Sequence, residues 1–329
     1  MDTYNIDNIL NDYNELVNLY LNCSNEEEKK YLYSQMLFIY NIDSKLARKN
    51  KLFSYKPKNY NSYMKEKEII KKDRYLELDK LTRKVCYNLW EEINNYYPLY
   101  TQIVLDNGYG YNNYIKILRG FFKSIFPKDL ELFNKDIEEN NLIIKKGFLA
   151  SEANIFYLES LNKYYINIEY YKFLSAYDMA CTAHEYGHAA TFVSNLVYNS
   201  KDYILNEAIA SLYELLFLDY YLYLYGEKYN YVEIVRIFNT YCINSLNRTI
   251  RRGFNYKNYH INMIESIYGQ LIAASIYIKY YDKDLNSIIK ILKDNYSKVD
   301  GFELLRSIDI SREDLINTSE DIGKLILRR

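Results

Sequence analysis

Apolar residues recur every three to four positions through long stretches of this chain, the spacing of helices buried along one face. Ser24-Asn25-Glu26-Glu27 has the form of a capping box and predicts a helix running to about Tyr40. The same periodicity predicts a long helix over 65–97, stopped by Pro98, and others over 130–140, 175–197, 229–251 and 284–296. Further apolar-periodic runs open at Asn206 and just after His260. Two stretches break the pattern. Residues 147–157 and 164–171 are crowded with Phe, Tyr and Ile and are separated by a segment containing Asn162-Lys163, which predicts a small antiparallel hairpin or sheet. The three prolines, Pro57, Pro98 and Pro127, all fall early, and no internal repeat is evident. The expected architecture is mainly α, with a helical N-terminal region over 1–140 and a second region over 141–329 beside the small sheet.

Composition narrows the classes of function. At 39.6 kDa and 49% hydrophobic, the chain can bury one large core or two modest ones. Its 42 basic and 43 acidic residues leave a formal charge of −1, which argues against nucleic acid or an anionic membrane as an obligate partner. The basic stretch over 45–72 is interleaved with Glu and Asn and reads as a solvated face. Met1-Asp2-Thr3-Tyr4-Asn5 has neither a basic nor an apolar leader region, and the apolar run over 215–225 is short and interrupted by Asp219. The four cysteines, Cys23, Cys86, Cys181 and Cys242, are scattered without a CxxC and read as reduced, so a cytoplasmic location is expected. The heavy use of Tyr, Asn, Ile and Lys is the signature of nucleotide bias and changes nothing about function.

The chemistry concentrates at His184-Glu185-Tyr186-Gly187-His188, which uses two of the chain's three histidines. On a helix, residues four apart share a face, so His184 and His188 can direct their imidazoles at one ion while Glu185 reaches a water bound there. Catalytic zinc takes three protein ligands and leaves one position open. Glu207, in the next predicted helix and flanked by Ala208, Ile209 and Leu212, is the expected third ligand; a merely solvated first-turn Glu would have more polar neighbours. Cys181, one turn before His184, is expected to serve packing. Hydrolysis of an amide passes through an oxyanion, and a second donor would stabilise it. His260 and Tyr268, at the head of a late apolar helix, carry suitable N–H and O–H groups. Glu214 is the candidate partner for the second nitrogen of a metal-bound histidine, with Asp178 the weaker one.

Taken together, His184-Glu185-Tyr186-Gly187-His188-Ala189, a following helix with Glu207 and Glu214, and then His260 and Tyr268 resemble the gluzincin metallopeptidases. The closest resemblance is to the thimet oligopeptidase and oligoendopeptidase F family. Gly187 matches that family's fourth pentad position, although Ser211 stands one place later than its pattern has it. Tyr165-Ile166-Asn167-Ile168 and Tyr177-Asp178-Met179 resemble the strand and lead-in before its active helix. The resemblance covers about 145–300 and is most specific over 183–214. The thermolysin family is the rival: Leu205-Asn206-Glu207-Ala208-Ile209 and Tyr259-His260-Ile261-Asn262 look like its segments. However, its Thr and Asp are replaced here by Gly187 and Ser211.

Either resemblance implies a helical zinc peptidase holding one Zn2+ through His184, His188 and Glu207. Glu185 would be the general base, with His260 and Tyr268 at the oxyanion. The oligopeptidase likeness implies peptide or unstructured substrates in a helical channel, with residues 1–140 as one wall and Gly147 and Phe148 near the substrate. A strand near Tyr164–Ile168 would offer its edge to an extended peptide. A processing protease dedicated to one partner, or a non-catalytic scaffold with structural zinc, are the alternative classes; an intact Glu185 argues against the scaffold.

Overall fold

The apolar stripes read from the sequence close into two hydrophobic cores, one on each face of a small sheet. The computed structural model describes residues 5–74, 84, 88, 108–147, 152–171, 173–195, 203–225, 261–280, 283–295 and 301–327. Helices α1 (Ile6–Asn22), α2 (Glu26–Ile42) and α3 (Ser44–Lys49) come first, then α4 (Tyr60–Arg74). After these come α5 (Tyr111–Ile125) and α6 (Asp129–Glu138), strands β1 (Leu142–Lys146), β2 (Glu152–Leu158) and β3 (Lys163–Tyr170), and α7 (Ala176–Asn195). The chain continues through α8 (Tyr203–Tyr225), α9 (Ile261–Tyr280), α10 (Leu285–Asn295), α11 (Gly301–Ser307) and α12 (Arg312–Leu327). The mainly α class is as expected. No described helix is long and apolar enough to cross a membrane.

Local signals behave mostly as read, with two corrections. Helix α2 is capped by Asn25, not Ser24: the Asn25 side chain accepts from the Glu27 and Glu28 amides at 2.9 and 3.3 Å. The sheet is mixed. Strands β2 and β3 form the expected antiparallel pair, with Ile155 opposite Ile166, but β1 adds to the far side of β3 in parallel, giving the order β1-β3-β2. Leu142-Ile143-Ile144 directly follows a helix and does not alternate, so no period-2 signal marks it. Strand β3 is therefore central, and among the described residues β1 and β2 form the outer strands of the sheet. The expected helix over 229–251 and nearly all of 75–97 lie outside the described residues.

Alternation along the strands divides the cores. Tyr165, Phe156 and Leu158 face α1 and α2, where they pack with Ile9, Tyr13, Leu32 and Met36. Tyr164, Ile166 and Ile168 face the larger core. Polar ties reinforce the first face. Asp12, buried on α1, accepts from the Tyr165 hydroxyl at 2.6 Å and from Lys163 at 2.5 Å. Gln35 exchanges two hydrogen bonds with Ser160, and Lys145 donates to the Ile42 carbonyl at 2.7 Å. The larger core joins α5 and α6 to α7, α8 and α9, so packing is continuous across residue 140.

Helix α7 lies over β2 and β3 and under α8, and α8 in turn packs against α9, which makes α8 the middle layer. Such a helix meets apolar surface on both sides, which explains why Leu205, Ala208, Ile209, Leu212, Leu215 and Leu216 run all round it. Beneath α7, the Tyr186 ring sits between Phe122 and Phe133 at centroid distances of 5.1 and 5.2 Å. The buried Asp136 carboxyl below accepts from the Tyr164 hydroxyl at 2.7 Å and from Asn141 at 3.2 Å, and interacts with the Tyr186 hydroxyl.

Burial pushes the Asp136 carboxyl up to about 6, against the opposing pull of these hydrogen bonds. Because the folded value lies above the ordinary 3.8, its stabilising contribution is complete below pH 4 and is lost as pH rises through about 6. Asp136→Asn is predicted to remove this slope, on the order of 3 kcal/mol across the window. Denaturant unfolding of both proteins at pH 4 and pH 7 should show the variant gaining on the parent at the higher pH; equal slopes would contradict this.

Candidate metal centre

Helix α7 begins where Ser175 and Asp178 cap one another. Asp178 accepts from the Ser175 amide at 2.8 Å and hydroxyl at 2.6 Å, while the Asp178 amide donates back to Ser175 at 3.3 Å. This capping box occupies Asp178 at the helix start, whereas Glu214 is the carboxylate that reaches His184. From that start the helix runs without a break through the pentad. His184 and His188 fall on one face, with ring centroids 4.9 Å apart and planes at 80°.

Glu207 comes from the first turns of α8 to meet them. His184 Nε2 lies 3.6 Å from one Glu207 oxygen and His188 Nε2 3.6 Å from the other. One ligand atom from each of the three residues lies within 4.8 Å of the other two. Among the described residues this is the one cluster of His, Cys, Asp and Glu with such geometry. Two imidazole nitrogens and a carboxylate oxygen are the donor set suited to zinc with an open fourth position. Zinc bonds of about 2.0–2.1 Å imply ligand separations of about 3.3 Å in a tetrahedron, close to the spacing seen. The residues therefore fit the ion.

The outward-facing nitrogens meet different surroundings. His184 Nδ1 is 3.0 Å from Glu214, which is buried on the next turns of α8. His188 Nδ1 is buried without a hydrogen-bond partner, and the side chain of Asn206, the residue before Glu207 and itself unpaired at its Oδ1, is the polar group beside the ring. Both arrangements leave the Nε2 atoms aimed at the shared centre. No local signal in the sequence marks Asn206, whose amide acquires meaning only beside His188.

Burying these groups shifts their titration. Glu185 is pushed by burial up to about 7, with Glu207 and Glu214 adding to the rise and His184 opposing it. Burial likewise takes Glu214 to about 7 against the pull of His184. Burial alone would lower His184, but its bonds to Glu207 and Glu214 carry it well above the ordinary imidazole value. His188, beside an amide in place of a second carboxylate, is lowered by burial. A carboxylate near neutrality beside two histidines can take and return a proton at physiological pH.

Glu185 also meets the sheet: its carboxylate lies beside the Ile155 backbone amide on β2, which opposes the rise in its titration. Strand β2 is an edge strand, so this amide points away from β3 and toward α7. By alternation, Ala153 presents its backbone groups along the same edge.

Two close helix approaches fix the layers. A Cβ on Gly187 would lie 2.5 Å from Ala210 Cα and 3.1 Å from its nitrogen, so this pentad position admits only glycine without displacing α8. Gly269 on α9 makes a comparable approach to Glu207 from the other side. Tyr268, its neighbour, is fully buried at this seam. Gly147 closes β1, its amide donating to the Tyr170 carbonyl at 2.8 Å. Cys181 is half-buried on α7 and forms no disulfide. His260 and Phe148 lie outside the described residues.

No family model matches the chain, and no curated protein matches it in sequence. In three dimensions it is similar to a crystal structure described as "putative oligoendopeptidase F" from Bacillus anthracis str. Ames. The TM-score is 0.53 and the identity 12%, over 93% of this chain and 64% of the neighbour's. This chain thus spans under two thirds of that protein's length, and the two share a fold, that of a helical molecule with a small mixed sheet.

Proposed function

We propose that the chain is a zinc-dependent peptidase that hydrolyses peptide bonds in peptides or unstructured segments. The observation that carries this reading is the meeting of His184, His188 and Glu207 around one point, with Glu185 beside it. The fold shared with the oligoendopeptidase F neighbour supports it. A purely structural zinc site would have no use for a carboxylate base and would normally close with a fourth protein ligand.

His184, His188 and Glu207 would hold one zinc ion, which when bound lowers the pKa of water toward about 7 and polarises the scissile carbonyl. Glu185 takes the proton from the attacking water and delivers it to the leaving amine. Its value of about 7 suits both transfers. Glu214 holds the His184 imidazole in the tautomer that leaves its Nε2 free for the ion, and Asn206 stands beside His188 where a small adjustment would let it do the same.

An extended peptide would pair with the outer edge of β2 at Ala153, next to the Ile155 amide and Glu185. This replaces β3, the central strand, as the docking edge. His260 and Tyr268 remain the proposed oxyanion donors. For Tyr268 this requires substrate binding to uncover a hydroxyl that is fully buried here. The proposed setting is cytoplasmic, with peptides as the partners and neither nucleic acid nor membrane involved.

The test is cleavage of a mixed peptide pool by the zinc-loaded protein beside Glu185→Gln, which keeps the metal ligands. Turnover is expected in the parent and a loss of at least about 10²-fold in the variant, the scale on which a positioned general base contributes. Equal turnover in both, or none in either with zinc bound, would remove the reading.

The orienting pair supplies a separate check. Asn206→Leu, which takes away the amide beside His188, is expected to weaken zinc binding about 10–100-fold in a chelator competition. Unchanged affinity would show that His188 needs no such partner.

A further inference from the structure

Glycine is among the poorest residues for a helix interior, yet Gly269 sits midway along α9, a buried helix otherwise filled by residues such as Leu271, Ile272, Ala273 and Ala274. The contact it makes explains the choice. A Cβ there would overlap the Cβ of Glu207 itself, and would lie 2.9 Å from the Glu207 carbonyl carbon and 3.1 Å from the Ala208 nitrogen. The backbone of α9 thus rests directly on the residue that offers the carboxylate to the metal centre. Three residues along α8, on an adjoining strip of its surface, Gly187 lets α7 reach Ala210. Two glycines thus set how closely α7 and α9 approach α8, and the approach of α9 falls on Glu207.

Resting on the zinc reading above, we infer that Gly269 is a positioning residue for the metal centre: its missing side chain sets how far Glu207 stands from His184 and His188. The Glu207 oxygens are 3.6 Å from the two Nε2 atoms, and the side chain is bounded by α9 behind and the histidines ahead. A methyl group at 269 leaves Glu207 no room at its back. It drives the residue toward α7, and a carboxylate carried on two methylenes then overshoots the position it needs. Shortening that arm by one methylene should partly correct the error.

Zinc affinity is measured first on the parent, by competition with a chromophoric chelator, and then on Glu207→Gln, Gly269→Ala, Glu207→Asp and the double variant Gly269→Ala/Glu207→Asp. Cobalt spectra are recorded on the same set. Gly269→Ala is expected to keep its helical circular dichroism, to bind zinc about 10–100-fold more weakly, and to give a cobalt spectrum like that of Glu207→Gln. Glu207→Asp should cost less affinity in the Gly269→Ala background than in the parent, a coupling that a general loss of packing would not produce.

Parent-like affinity and spectrum in Gly269→Ala would overturn the inference, as would penalties that simply multiply. A parent that fails to bind zinc would overturn the zinc reading and this inference together, before any variant is compared. If Gly269→Ala does not fold, Gly269→Ala/Ala210→Gly, in which α8 can yield toward α7, carries the same comparison. Failure of both to fold would make Gly269 a requirement of the fold and would also overturn the positioning role.

Discussion

Three carboxylates and two imidazoles share the space between two otherwise apolar helices, and the rest of the structure is arranged around that burial. Taking such charges out of water costs several kcal/mol each unless partners or a cation offset it. Glu185, Glu207 and Glu214 cannot all remain ionised cheaply side by side. The upward displacement of Glu185 and Glu214 to about 7, and of His184 above its usual range, expresses that tension. A divalent cation between His184, His188 and Glu207 would offset the cost, and the geometry leaves Glu207 the most exposed of the three side chains. The same burial would sharpen the chemistry of the filled site, because charges act more strongly in a water-poor setting.

Holding that cluster requires helices packed closer than large side chains allow. Gly187 and Gly269 bring α7 and α9 onto the backbone of α8 at Ala210 and Glu207. Below α7, Tyr186 locks the pentad into the aromatic layer of Phe122 and Phe133, and the sheet supports the helix from beneath. Asp12 and Gln35 then bind the first helices to the far face of that sheet. The sheet is the shared floor of both cores. Its β2 edge brings the Ile155 amide beside the catalytic candidate Glu185.

Much of this was legible in the sequence where the signal was local. The pentad, its helix, the Glu207 helix and the β2–β3 pair each carry their own periodicity or motif, and Glu214 stood two turns from Glu207 on one face. What escaped depended on neighbours distant in the chain. Strand β1 has three apolar residues and no alternation, and only its pairing with β3 defines it. The function of Gly269 follows from what touches it across a helix seam. Asp178 looked available for a histidine, but Ser175, three residues earlier, holds it as a cap. Asn206 was passed over because its amide matters only once His188 is placed beside it.

Zinc-edge X-ray absorption on the metal-loaded protein, with Glu207→Gln alongside, tests the central claim most directly. The account predicts two imidazole nitrogens, one carboxylate oxygen that disappears in the variant, and one exchangeable water oxygen in the remaining position. A shell closed by four protein ligands with no water, or one unchanged by the loss of Glu207, would contradict it.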